Sequence, residues 1–285
     1  MIKQSEDMIL KFGILTNQKK DKDLQYTRQL LDILKKRGCT WCLQPEIAHI
    51  LGVNAGGNIT ECEYLFILGG DGTILGAARK YAAFGTKLIG INIGRLGFLS
   101  EILMHDLETS LDKLMRKDYF LDRRMMLECT SQSFPDTLCA LNEFVMSDEA
   151  MPRVADIEFS INGHVADHYL GDGMIVSTPT GSTAYALSAG GPIVEPAAQC
   201  ILITPICPHT LHSKSIILKD SDTVELRLLS GCKTACITAD GQTTRMLEEG
   251  MSVKIQKAPY TADFVRFNDR NFFEILQIKL SGRDR

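Results

Sequence analysis

The segment Glu63–Leu68 (EYLFIL) is apolar and aromatic-rich, stops at Gly69-Gly70-Asp71-Gly72-Thr73, and gives way at once to the helix-patterned stretch Ile74–Phe84. A run this short, ended by two glycines, reads as a buried strand that feeds a helix through a tight turn. The same alternation extends through the first part of the chain. Met8–Leu15 and Lys87–Ile93 (KLIGINI) read as buried strands, and Thr40–Leu43 as a further short one. Leu24–Arg37 reads as a helix, because Lys35, Lys36 and Arg37 fill its last turn and Gly38 follows. Asp106–Lys117 is helical in pattern, and Thr16–Asp23 is polar and turn-like. Strands alternating with helices imply an α/β layer around a mostly parallel sheet.

The pattern changes near Leu121. Short runs with alternating or β-branched residues follow: Arg124–Thr130, Leu138–Met146, Ala155–Ile161, His164–Tyr169, Met174–Thr178, Ser215–Leu218, Thr223–Leu229, Thr234–Ala239 and Met251–Lys257. Turn formers separate them, Asn162-Gly163 and Asp240-Gly241 among them, and Asn-Gly between two such runs signals a hairpin. One helix-like interruption falls at Ser182–Ala189. The expected organisation is an α/β domain over 1–122 and a β-rich domain over 123–270. The tail Asn271–Leu280 (NFFEILQIKL) has the pattern of an amphipathic helix.

Three features carry chemistry. Gly69–Thr73 sits where open α/β sheets bind ligands, at the carboxyl end of a strand. Its glycines let backbone approach an anion closely and take positive φ where needed, and the following helix start favours negative charge. Asp71 is out of place in an anion loop unless it accepts a proton from an attacking hydroxyl or holds a divalent cation; phosphoryl transfer requires both jobs. The plainer reading is a structural turn, since Gly-Gly-Asp-Gly is turn-rich by composition. The second feature is Gly171–Pro192 (GDGMIVSTPTGSTAYALSAGGP). Ser177, Thr178, Thr180, Ser182 and Thr183 can donate to phosphate or ribose oxygens, and Tyr185 offers a flat face for stacking. Its plain reading is a Ser/Thr-rich loop that caps a short helix. The third is Asn142-Glu143, a polar pair within apolar ALNEFVM. Asn can read an adenine edge and Glu can accept from ribose hydroxyls, or the two can simply be a satisfied pair at a strand end. His209 and His212 read as structural or surface residues. A Walker-type P-loop is absent, and Gly70-x-Gly72-x-x-x-Gly76 is not a G-x-G-x-x-G.

Composition narrows the classes. The chain carries a net charge of −4, which argues against a dedicated nucleic-acid binder, and no apolar run approaches the ~18 residues of a membrane span. The N-terminus lacks the features of a signal peptide, so the expected location is the cytoplasm. Nine cysteines cannot all pair within one chain, which suits a reducing compartment. Cys39-x-x-Cys42 reads as incidental, as does the Cys232/Cys236 pair.

These pieces resemble the NAD kinase family over nearly the whole chain: GGDGT at Gly69–Thr73, GRLGF at Gly94–Phe98, Asn142-Glu143, the segment Asp172–Pro192, and ITPICPHTL at Ile203–Leu211. GGDGT alone is shared with lipid kinases of the diacylglycerol and sphingosine type; the STPTGSTAY segment followed by SAGGP is more particular. The resemblance implies a Rossmann-like first domain, a sandwich-like β second domain, and a tail over 271–285 that packs back on the first. It implies a site in the cleft between domains and a homo-oligomer, dimer or tetramer. The implied substrates are NAD and ATP with a divalent cation, magnesium by expectation, and no metal ligand from the protein is assigned. Asp71 then is the catalytic proton acceptor, with Gly72 beside it and Gly69, Gly70 and Thr73 in the phosphate loop. Asn142 would contact the adenine, Glu143 the ribose and Asp172 the nicotinamide half. Phe98, Thr180, Thr183, Ala184, Tyr185, Ala186, Leu187 and Ser188 would line the dinucleotide, with Arg153 and Gln242 as further polar contacts. Leu170 stands where many bacterial relatives carry Arg, a departure from the family pattern. The competing functions are a lipid kinase and a non-catalytic dinucleotide sensor.

Overall fold

A parallel sheet forms where the sequence alternates strand and helix. The computed structural model describes residues 10–94, 97–100, 102–148, 155–209, 214–229, 234–267 and 272–281. The chain divides into two units, one made of Met1–Asp122 with Asp263–Arg285 and the other of Arg123–Ala262. The first contains β1 (Lys11–Thr16), α1 (Gln25–Lys36), β2 (Thr40–Leu43), α2 (Pro45–Leu51), β3 (Tyr64–Gly69), α3 (Asp71–Tyr81), β4 (Lys87–Asn92), β5 (Ile102–Leu103) and α4 (Leu107–Met115). Its strands run parallel in the order β2-β1-β3-β4. All of β3 is buried, which explains why its sequence is a continuous apolar run rather than an alternating one. Phe12, Phe66 and Ile89 of the sheet share a core with Leu30 and Leu34 of α1 and Leu111 of α4. Each such side chain contributes ~1.5–3 kcal/mol by leaving water. The sequence reading leaves out α2, although Pro45 at its first turn and left-handed Gly52 at its end mark it. It also starts α3 too late: the helix begins at Asp71, inside the glycine-rich loop.

Among the described residues, the elements of the second unit are strands apart from the short helical turns Thr180–Thr183 and Tyr185–Ser188. It contains β6 (Phe120–Ser131, entered from the first unit), β7 (Phe134–Ala140), β8 (Glu143–Asp148), β9 (Ala155–Ile161), β10 (His164–Gly171), β11 (Gly173–Ser177), α5 (Tyr185–Ser188), β12 (Cys200–Ile206), β13 (Ile216–Lys219), β14 (Val224–Leu228), β15 (Thr234–Ala239), β16 (Thr243–Glu248) and β17 (Ser252–Arg266). One antiparallel sheet has the order β13-β12-β11-β8-β15-β16. The other joins β10, β9, β14 and the start of β17, with the β6-β7 hairpin alongside. Phe144, Met174 and Ile237 from the first sheet meet Leu127, Phe159 and Leu226 from the second in one core, so the unit is a β-sandwich. The anticipated Asn162-Gly163 hairpin forms, at φ 53° and 80°, and Asp240-Gly241, expected only as a turn, joins β15 to β16 in a second hairpin at 48° and 63°.

Three expectations need correction. Leu138–Met146 is not one strand: it breaks at Leu141-Asn142, and β7 and β8 lie in different sheets. The break forms because these two amides turn away from strand partners toward a side chain described below. The helix expected over Ser182–Ala189 is a 3-10 turn, Thr180–Thr183, and then the single turn α5, separated at Ala184 (φ −100°, ψ −126°). The chain also leaves the second unit at Ala262 rather than at residue 270, because the end of β17 joins the parallel sheet: Phe264 pairs with Leu88 of β4. The tail forms α6 (Phe272–Leu280) and belongs to the first unit.

The turn between β1 and α1 is organised by one buried carboxylate. Asp21, 0% exposed, accepts from the Tyr26 and Thr27 amides (both 2.9 Å) and from the Thr27 hydroxyl (2.6 Å). The Thr27 hydroxyl lies 2.8 Å from that of Thr16 at the end of β1. Asp21→Ala orphans these donors, and the expected cost is ~2–4 kcal/mol of unfolding free energy. Urea denaturation of the variant measures it; a loss under about 0.5 kcal/mol would show that the carboxylate does not organise the turn.

Candidate active site

In the first unit, the end of β3 delivers Gly69 and Gly70 to the start of α3, with Asp71 as the first helical residue. A carboxylate there is favoured by the helix dipole. Its oxygens accept from two backbone amides of the 97–100 loop, Phe98 at 2.9 Å and Leu99 at 3.2 Å. The loop is anchored in turn. The Gly97 amide donates to the Ser100 hydroxyl (3.2 Å), and buried Arg266 donates to the Leu99 carbonyl and the Asp122 carboxylate (both 3.1 Å). A side chain on Gly97 would run into the Asp71 carboxylate, so a larger residue here would push that carboxylate from its place. Asn17 adds a tie from the β1–α1 turn, its amide donating to the Thr73 hydroxyl at 2.9 Å.

Glycines 69, 70 and 72 do not take positive φ; Gly70 is extended (φ −118°, ψ −174°). At the first two the constraint is space. A Cβ on Gly69 would strike the Thr73 side chain, and one on Gly70 would strike the Lys20 ammonium. Lys20 thus brings a positive charge to the loop, and the buried Asn92, paired with Gly69 across the sheet, has an amide nitrogen with no partner. Neither was legible in the sequence, because nothing local marks a lysine in a polar turn or an Asn at a strand end as facing this loop.

In the second unit, the break between β7 and β8 places Asn142-Glu143 against the Ser/Thr-rich turn. Glu143 pairs with Ser177 at the end of β11, the Thr178 amide donates to the Asn142 carbonyl (2.8 Å), and the Thr178 hydroxyl donates to the Leu141 carbonyl (2.6 Å). Gly181 packs on the Asn142 backbone with no room for a side chain. Asp240, from the turn after β15, accepts from the amides of Leu141 (3.1 Å), Asn142 (2.8 Å) and Glu143 (3.2 Å). Its own amide donates to the Glu143 carbonyl at 2.9 Å. Gln242 follows in the same turn, and its amide donates to the Ala239 carbonyl at 2.9 Å.

The structure sorts the residues of the Ser/Thr-rich segment. Tyr185 is 44% exposed, while Thr183, Ala184 and Leu187 are half-buried and Ser188 is exposed. Thr180 accepts from Arg124 at 3.3 Å. Ala186 is a core residue, packed with Val145, Ile175 and Ile206, and its carbonyl accepts from Gly191. Ser182 and Thr178 are also structural: the Ser182 hydroxyl is bonded to Pro179 and Val194, and the Thr178 hydroxyl to Leu141 and Gly181, so neither is free to donate to phosphate. Asp172 is not beside Asn142. It precedes β11, whose other end pairs with Glu143, which puts it about 17 Å away at about 3.4 Å per residue. There the Asp172 amide donates to the Ile206 carbonyl and the carboxylate meets the Cys207 thiol, whose pKa it raises. The Leu170 carbonyl accepts from His209 nearby. Arg153, Arg95, Leu96, Thr210, Leu211, His212 and Cys232 lie outside the described residues. Cys39 and Cys42 donate separately to the Arg37 and Gly56 carbonyls.

Among the site carboxylates, Glu143 has a clearly displaced pKa. Burial, and then the nearby Asp240 charge, push its pKa up to about 8, while the Tyr185 amide pulls the other way. Its Oε2 is buried without a partner. At neutral pH the side chain is therefore mostly a neutral acid, able to donate as well as accept.

The fold is similar to that of yeast NADH kinase, solved with NADH, with a TM-score of 0.85 at 22% identity, over 97% of this chain and 89% of that one. An NAD kinase from Archaeoglobus fulgidus, solved with ATP, gives 0.77 at 27% identity, over 97% of this chain and all of the other (100%). Residues 12–119 match the ATP-NAD kinase N-terminal domain and residues 141–267 the ATP-NAD kinase C-terminal domain. The NAD kinase of Thermoanaerobacter sp. strain X514 is 39% identical over 281 residues, 96% of this chain and 99% of its own length. That of Acetivibrio thermocellus is 38% identical over 284 residues, 96% and 98% of the two chains. The chain belongs to the NAD kinase family.

Two outcomes follow from the site geometry. Gly97→Ala displaces the Asp71 side chain, a movable group, rather than backbone; turnover should fall at least about tenfold with little change in Tm. Unchanged turnover would mean the 97–100 loop does not set the position of Asp71. For Glu143, both states are protonated below its ordinary pKa of 4.5, and from there to about 8 only the native state keeps the proton. Stability then falls as pH rises through that window, by up to about 1.4 kcal/mol per unit, and levels above it. Glu143→Gln removes this slope, so thermal melts of the two proteins should diverge between pH 5 and pH 8 (roughly that window), the variant becoming the more stable. Parallel curves would refute the raised pKa.

Proposed function

We propose that the chain transfers the γ-phosphoryl group of ATP to the 2′-hydroxyl of the adenosine ribose of NAD, giving NADP. The observation that carries this reading is Asp71, fixed by two backbone amides at the glycine-lined exit of β3. A loose phosphoryl-transfer transition state asks mainly for positioning and charge neutralisation, and a carboxylate suits late acceptance of the hydroxyl proton. The Phe98 and Leu99 bonds occupy one lone pair on each oxygen and leave others for the substrate. Asn142 contacts the adenine and Glu143 the ribose, and the exposed face of Tyr185 stacks on the dinucleotide. Thr180, Thr183, Ala184, Leu187 and Ser188 line it, Phe98 and Gly72 flank the reacting sugar, and Gln242 and Arg153 are further polar contacts. Asp172 serves the nicotinamide half. Ala186 contributes through packing that holds α5.

ATP enters as its magnesium complex. Among the described residues no three His, Cys, Asp or Glu side chains cluster to hold a cation. Phosphate oxygens and water are the usual magnesium ligands in such substrates. Gly69, Gly70 and Thr73 receive the phosphates, with Lys20 supplying positive charge beside Gly70. The protein acts in the cytoplasm as a dimer or tetramer; eight of the described cysteines are free thiols, which supports a reducing compartment. Among the described residues no helix is long and apolar enough to cross a membrane. Family membership over the whole chain favours this reading over a lipid kinase or a dinucleotide sensor.

Asp71→Asn tests it. With NAD, ATP and magnesium, NADP formation should fall by at least about a hundredfold, while calorimetry shows NAD affinity within about threefold of the parent. Near-normal turnover would remove Asp71 as the proton acceptor.

A further inference from the structure

Asp240 lies outside every motif that suggested function, yet it is among the most heavily engaged carboxylates in the second unit. It is 7% exposed, sits at φ 48° in the turn joining β15 to β16, and collects three consecutive amides, those of Leu141, Asn142 and Glu143. These amides belong to the point where the chain leaves one sheet of the sandwich for the other. Without an acceptor there, two buried or half-buried donors and the start of β8 would be unsatisfied. The same turn returns its own amide to the Glu143 carbonyl, so the Asn142-Glu143 backbone is held from both sides. Glu143 meanwhile has a buried oxygen with no protein partner, the acceptor that the proposed function gives to the ribose.

We propose that Asp240 is a positioning residue for NAD recognition: its carboxylate fixes the Asn142-Glu143 dipeptide so that both side chains meet the adenosine half of NAD in register. This rests on the reading that Asn142 and Glu143 contact that nucleoside. Asp240 itself touches no substrate. The geometry distinguishes its two oxygens: Oδ1 holds Asn142 and Glu143, and Oδ2 holds Leu141. Asp240→Asn keeps one carbonyl oxygen for the Asn142 and Glu143 amides and opposes the Leu141 amide with a donor. Asp240→Ala removes all three acceptor contacts.

The test is steady-state kinetics on four variants with both substrates varied. Asn142→Ala checks the underlying reading and should raise the KM for NAD. Asp240→Ala should raise the KM for NAD at least about tenfold, Asp240→Asn by less, and both should leave the KM for ATP within about twofold. Leu247→Ala, a core change in the neighbouring strand, shows what lost stability alone does. If Asn142→Ala leaves the KM for NAD unchanged, the nucleoside reading fails. If it raises that KM but a folded Asp240→Ala does not, the positioning role is overturned. Equal losses for both substrates, matching Leu247→Ala, would also overturn it, since a merely structural residue behaves that way. Should Asp240→Ala not fold, the Asp240→Asn variant decides on the same criterion.

Discussion

A carboxylate that gathers backbone amides organises three loops of this protein. An ionised Asp accepts such bonds more strongly than a neutral group, and it can do so at a chain turn where no strand or helix partner exists. Asp71 holds the 97–100 loop, and Asp240 holds the crossing between sheets at Leu141-Asn142. Asp21 does the same for the turn that carries Asn17 and Lys20 to the glycine-rich loop. In each case a segment that propensity leaves undetermined takes one conformation because its amides have one place to go.

The glycines complete this arrangement by leaving room. Gly97 is small so that Asp71 can reach the Phe98 and Leu99 amides, and Gly181 is small so that the Ser/Thr-rich turn can lie on Asn142. The end of the chain supports the same site from a distance in sequence. Arg266, in the part of β17 that joins the parallel sheet, holds the Leu99 carbonyl and so backs the loop that grips Asp71. The loop is thus supported by residues far apart in the chain.

Much of this was legible in the sequence because it is local. The apolar run before Gly69, the helix stop at Lys35–Gly38 and the Asn162-Gly163 hairpin each carry their own signal, and each forms. What was not legible depends on partners distant in the chain. Leu138–Met146 reads as one strand by pattern, yet at Leu141-Asn142 its backbone groups are taken by Asp240, from another hairpin, and by Thr178, and the strand breaks there. The hydroxyls of Thr178 and Ser182 look available in sequence, yet the fold spends both on backbone carbonyls, those of Leu141 and Pro179. Ala186 looked like part of a binding wall because it sits within the motif, yet its methyl faces the core. Cys200–Ile206 is a strand despite Pro205 within it, and Thr243–Glu248 is a mostly polar strand at the sheet edge, so neither carries a clear strand signal of its own.

The central claim is that the amide-held carboxylate of Asp71 faces the hydroxyl that is phosphorylated. A crystal structure of the protein with NAD measures this directly. The account predicts the 2′-oxygen of the adenosine ribose within ~2.6–3.2 Å of an Asp71 carboxylate oxygen, with the Phe98 and Leu99 amides still bound to that side chain. A bound NAD whose 2′-oxygen lies beyond hydrogen-bond reach of Asp71, with the pyrophosphate or another hydroxyl in its place, would contradict it.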